Sequence, residues 1–154
     1  MTKTSEVGAH HVRIVVDFAA EPEVVWREWT KPESFSHWFG TPPMETPADL
    51  VTLDVRPFGH WSATMVGPDG SHMPFGGAYL EVGKPRRLVF TFQDPEDPDN
   101  PDVETATVDL VETSEGTRMT FEQMGSLPSG QYPLLQQGYS TFFERMADDL
   151  RTSA

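Results

Sequence analysis

At 154 residues the chain has the size of one domain with a sizeable core. It has no cysteine, which excludes disulfides, thiolate catalysis and Cys-based zinc or iron–sulfur sites. Its formal net charge of −13, from 24 acidic against 11 basic residues, opposes both nucleic-acid binding and docking on anionic membranes.

No apolar run reaches the roughly 18 residues of a membrane span, and the opening MTKTSEVGAH lacks the apolar stretch of a secretory leader. A cytoplasmic protein is expected. Residues 1–10 read as a loose polar tail, and residues 11–151 as a single domain. His11 to Ala19 alternates Val12, Ile14, Val16 and Phe18 with polar neighbours and predicts a strand. Glu21-Pro22-Glu23 opens a short helix with Val25, Trp26 and Trp29 on its apolar side, and Pro32 ends it. A second short helix, PESFSHWFG, stops at Gly40 and Pro42-Pro43. Two such helices cannot form a core alone, so they should plug an opening or seat a sheet.

From Ala48 the period changes to two. Strands are expected at Ala48–Arg56, His60–Val66, Pro74–Val82, Arg87–Gln93, Val103–Glu112 and Thr117–Met124. Turns fall at Pro57-Phe58-Gly59, Gly67-Pro68-Asp69-Gly70, Gly83-Lys84-Pro85 and Ser114-Glu115-Gly116. Gly76-Gly77 inside a strand marks a bulge or a close backbone approach. Asp94 to Asp102, DPEDPDNPD, cannot pack and should be an exposed loop. Pro133–Leu150 then carries Leu135, Tyr139, Phe142, Phe143, Met146 and Leu150 at helical spacing. The fold class is α+β: a curved antiparallel sheet wrapped around a long C-terminal helix, with two short helices after the first strand.

Neither a metal nor a cofactor is expected. The five histidines form no HxH or HExxH pattern, and the acidic loop lacks the ordered ligands of a calcium loop. No GxSxG or GxGxxG frame occurs. The plausible chemistry lies in the concavity of the sheet. Strand parity turns Trp61, Met65, Leu88, Phe90, Phe92, Val108, Leu110, Met119, Phe121 and Gln123 inward. Tyr79 and Glu81 share a face; they either orient a ligand, with Glu81 a weak acid/base candidate, or Glu81 pairs with Arg87 outside and Tyr79 packs in the core. Trp38 stands at the mouth. Gly138 is costly in mid-helix by about 1 kcal/mol, which suggests a close approach there beside Tyr139 and Phe142. An apolar cavity of roughly a few hundred Å3 is expected between that part of the helix and the strands carrying Trp61, Tyr79, Phe90 and Gln123.

The segments Ala19 to Trp26, Trp38-Phe39-Gly40, Val55 to Trp61, Gly77 to Val82, Pro85 to Phe92, Gly116 to Phe121 and Gly138-Tyr139 together resemble the START-like, Bet v 1-like (SRPBCC) superfamily. More narrowly, they resemble homologues of the C-terminal domain of the Hsp90 ATPase activator Aha1. The likeness spans about residues 11–150. It departs at Phe58-Gly59, where two glycines are common, and at Tyr139, where tryptophan is common. The resemblance implies a helix-grip fold with an internal cavity. It is compatible with three functions: binding a small hydrophobic molecule, cavity-based catalysis of the cyclase or hydrolase kind, or a chaperone-activator-type interaction module. The expected partner is a small hydrophobic molecule, the chain being a monomer or homodimer.

Overall fold

The computed structural model describes residues 2–94, 97 and 99–152. Eight strands form one antiparallel sheet: β1 (Thr2–Val7), β2 (His11–Phe18), β3 (Val51–Leu53), β4 (His60–Val66), β5 (His72–Gly83), β6 (Arg87–Phe92), β7 (Glu104–Thr113) and β8 (Gly116–Met124), in the order β1-β2-β8-β7-β6-β5-β4-β3. Two short helices, α1 (Pro22–Thr30) and α2 (Pro32–Trp38), follow β2, and α3 (Gln131–Thr152) closes the chain. This is the expected α+β helix-grip architecture, with α3 gripped by a curved sheet.

Two boundaries differ from expectation. The predicted tail is an edge strand: β1 pairs with β2 from Thr2↔Asp17 to Val7↔Val12. An edge strand needs only backbone partners on one side, so its polar side chains gave no alternating signal. Lys3 of β1 also reaches Glu144 of α3 at 3.2 Å. Ala48–Arg56 is only partly a strand: a 3₁₀ turn at Ala48–Leu50 precedes the three residues of β3. After β3 the backbone folds on itself, Arg56 N–H donating to Asp54 O and Gly59 N–H to Arg56 O.

The alternation read in the sequence is the burial pattern. Val12, Ile14, Val16 and Phe18 of β2 and Met119, Phe121 and Gln123 of β8 all face inward and are buried. On α3 the buried stripe is Tyr132, Tyr139, Phe142, Phe143, Met146 and Leu150, while Leu135 is half-buried. β5 and β6 pair with a register shift between Tyr79 and Glu81, and their backbones come close at Gly77. A Cβ on Gly77 would lie 1.8 Å from Thr91 O, so glycine here permits the close backbone approach expected of it.

The concavity holds three helices rather than one. α1 packs on β7 and β8, α2 on β3, and α3 on β1, β2 and α2. Together α1 and α2 drop aromatic rings into the grip. Trp29 lies 4.7 Å from Trp38 and 6.0 Å from each of Phe90, Phe121 and Phe143, centroid to centroid. Phe35 stacks on Phe39 at 4.7 Å, and Trp61 meets Phe90 at 5.6 Å and Phe92 at 5.2 Å. At the far end the three helices meet through polar groups. Trp38 Nε1–H donates to Glu28 O at 2.8 Å, and His37 Nδ1 bonds the Asp149 carboxylate at 2.8 Å. Glu28 itself is buried, and its Oε1 has no hydrogen-bond partner among the described residues. Among the described residues no helix is long and apolar enough to cross a membrane.

Candidate functional site

Trp38, Trp61, Met65, Tyr79, Phe90, Met119, Phe121, Gln123, Tyr139 and Phe142 all lie inside, each 8 % exposed or less. They meet as a packed core. The space left among Trp29, Trp38, Trp61, Tyr79, Phe90 and Tyr139 measures about 20 Å3, room for about one water. Among the described residues, the space at this place is far smaller than the expected interior cavity of a few hundred Å3. The two short helices are the reason: their indoles and phenyl rings occupy the volume that a sheet and one helix would leave open.

Two further expectations are corrected. A Cβ built on Gly138 meets nothing within 4 Å, so this glycine makes room for no neighbour. Tyr79 and Glu81 lie on opposite faces, because the β5–β6 register shifts between them. Tyr79 points inward, whereas Glu81 is exposed and takes Arg87 Nε–H at 2.5 Å, with Asp109 on the other side of the same guanidinium. No role inside the concavity is open to Glu81.

A concave space of ligand size that combines apolar walls with buried polar groups lies one layer out, at the mouth between the first half of α3 and the strand ends. It is a groove of about 500 Å3. Phe75 of β5, Phe92 of β6, Leu127 and Leu135 supply apolar walls, and Pro74 and Pro128 add rigid edges. Glu104 of β7, Gln123 of β8 and Tyr139 of α3 also line it, and Asp94, Asn100 and Asp102 border it from the β6–β7 loop. The Asp94–Asp102 loop expectation rests partly on Pro95, Glu96 and Pro98, which lie outside the described residues. Phe92 and Tyr139 line both the groove and the small interior void, so they form the partition between them.

The polar side chains of the groove form one chain of hydrogen bonds. Tyr139 O–H donates to Gln123 Oε1. Gln123 Nε2–H donates to Glu104 Oε1 at 3.1 Å, and the buried Tyr132 O–H donates to the same oxygen at 2.8 Å. Ser126 N–H donates to Glu104 Oε2 at 2.8 Å. Gly125 is required beside it, since a Cβ there would fall 1.6 Å from Glu104 Oε2. His10 braces the same corner: its Nδ1 lies 3.1 Å from Leu127 O, and its ring meets Tyr132 edge-on at 5.9 Å. Burial, and then the Glu104 hydrogen bond, push the Tyr132 phenol up to about 12. Burial and the nearby Glu104 charge likewise push the Tyr139 phenol up, and burial and Asp54 push up that of Tyr79. These phenols are donors, not bases, at neutral pH. The arrangement presents a buried carboxylate and an amide, both held in place by donors, to a polar group of a molecule lying between apolar walls.

Of the residues anticipated from sequence, the groove takes in Gln123 and Tyr139. Trp38, Trp61, Tyr79 and Phe90 border only the small void, and Met65, Met119, Phe121, Gly138 and Phe142 border neither space. The sequence reading missed Glu104 and Tyr132. The signal for Glu104 was present, because the parity that turns Val108 and Leu110 inward also turns Ala106 and Glu104 inward.

The profile of the family described as Activator of Hsp90 ATPase homolog 1-like protein matches residues 19–151. The chain belongs to this family. The fold agrees with solved structures. A Nitrosomonas europaea protein is 27 % identical, with 96 % of this chain and 98 % of that chain covered and a TM-score of 0.79. A protein from Arthrobacter aurescens is 23 % identical, with coverages of 97 % and 91 % and a TM-score of 0.83. An AHSA1-like protein from Aeromonas hydrophila is 20 % identical, with 93 % of both chains covered and a TM-score of 0.77. No curated protein sequence matches the chain. In this member of the Activator of Hsp90 ATPase homolog 1-like family, the departure at Tyr139 has a use: its hydroxyl is the donor that fixes Gln123. The departure at Phe58 has a conformational cost, because Phe58 sits at φ 67, in the left-handed region that favours glycine.

Proposed function

We propose that this protein binds a small amphipathic molecule, with its apolar part between Phe75, Phe92 and Leu135 and its polar end at Gln123 and Glu104. The observation that carries this reading is the groove itself. Its volume of about 500 Å3 falls in the usual range for small-molecule sites, and apolar walls converge on a few fixed polar groups. The family's START-like architecture supports it. The filled interior moves the expected site outward without removing it. A neutral fluorescent probe, N-phenyl-1-naphthylamine, tests the reading. Its emission should rise on adding the native protein and saturate at one site. Leu135→Trp, a change at a half-buried groove position, should abolish that rise while the far-ultraviolet spectrum stays native. No rise with the wild-type protein would overturn the reading.

A second reading, a protein-interaction module of the chaperone-activator kind, is supported by the family description and by one observation. Phe58 is 78 % exposed and held at φ 67. A large apolar side chain kept in a strained, solvent-facing turn suits contact with a partner protein. Stimulation of an Hsp90-type ATPase by the wild-type chain, lost in Phe58→Gly, would favour this reading over the first.

A further inference from the structure

Resting on the groove reading above, we propose that the molecule bound there is an organic cation, a primary ammonium on an apolar body, with the ammonium seated on Glu104. Glu104 is 8 % exposed, and among the described residues the hydrogen bonds it accepts come from neutral donors: Gln123, Tyr132 and the Ser126 amide. Among the described residues it has no Lys, Arg or His ion-pair partner. A buried carboxylate without a counter-ion is costly, and folding has kept this one by giving Gly125 no side chain. Among the described residues Oε2 accepts a single hydrogen bond, so it retains acceptor capacity for a further donor.

The surroundings point the same way. Among the described residues no lysine, arginine or histidine lines the groove, while Asp94 and Asp102 do. The phenyl rings of Phe75 and Phe92 form walls that a cation tolerates and an anion does not. The chain's net charge of −13 favours cations over anions in its surroundings. A carboxylate- or phosphate-bearing lipid, which an apolar groove would otherwise admit, would meet repulsion from Glu104 and both aspartates.

Three probes sharing one ring system separate charge from shape: 1-naphthylmethylamine, 1-naphthalenemethanol and 1-naphthoate, each titrated calorimetrically into the full chain at pH 7. The amine should bind at least tenfold tighter than the alcohol, with the carboxylate weakest. The gap between amine and alcohol should shrink between 20 mM and 500 mM NaCl. Glu104→Gln should bring the amine within threefold of the alcohol. A measurement on the wild-type chain stands beside that variant: the Ser126 amide, bonded to Glu104 Oε2, should shift on titration with the amine far more than with the alcohol. If the alcohol or the carboxylate binds as tightly as the amine, the cation assignment fails and the groove reading survives. If none of the three binds, both fail together.

Discussion

Glu28 is the residue whose setting departs furthest from what its type prefers. It is buried on α1, its Oε1 has no hydrogen-bond partner among the described residues, and the charged group beside it is the Asp149 carboxylate. Burial, and then the hydrogen bond to and charge of Asp149, raise its carboxyl to about 9. The folded state thus keeps a proton that the unfolded chain releases near 4.5. Between those two values the native state binds more protons, so stability falls as pH rises. Relative to Glu28→Gln, the wild-type protein should lose about 1.4 kcal/mol of stability per pH unit across that window. The difference should level off below the ordinary carboxylate range. Denaturant midpoints of both proteins at pH 4, 6 and 8 check this, and a pH-independent difference would contradict it. Phe58 is the second such residue. Its side chain is 78 % exposed and its φ is 67, so Phe58→Gly removes little packing and relieves a strained backbone. We expect that variant to be more stable by about 1 kcal/mol.

At the scale of the elements, two glycines placed in regular structure have opposite meanings. Gly77 lies 1.8 Å, in Cβ terms, from the Thr91 carbonyl, and Gly77→Ala must push β5 away from β6, at a cost of about 3 kcal/mol. Gly138 faces open space, so Gly138→Ala should stabilise α3 by up to about 1 kcal/mol. Thermal denaturation of the two variants should move in opposite directions. Phe142, on the buried stripe of α3 and 5.1 Å from Phe39, should cost about 3–5 kcal/mol as Phe142→Ala. Periodicity was enough to place α3, β2 and the β7–β8 hairpin, because each buries one face. It was silent on β1, whose pairing is made by the backbone alone. It also put Tyr79 and Glu81 on one face, which the residue inserted at Leu80 separates, while the alternative of Tyr79 in the core and Glu81 paired with Arg87 outside is what the structure has.

At the scale of the whole molecule, the sequence carried the architecture but not the volumes. A sheet gripping a helix implies a concavity. Whether that concavity is empty depends on where α1 and α2 aim Trp29, Phe35, Trp38 and Phe39, and strand and helix periods hold no information about that. Here those rings fill the interior and leave about 20 Å3, while about 500 Å3 remains at the mouth. The candidate site is correspondingly half legible: parity found Gln123, the helical stripe found Tyr139, and Glu104 lay on a strand whose inward set was read only from its apolar members. The claim that a ligand occupies the mouth and not the interior is tested most directly by intermolecular NOEs between the labelled wild-type chain and 1-naphthalenemethanol. The account predicts contacts from the naphthalene ring to Phe75, Phe92 and Leu135, with none to Trp29, Trp38 or Phe142. Contacts to those core rings, or a ring that makes none at all, would contradict it.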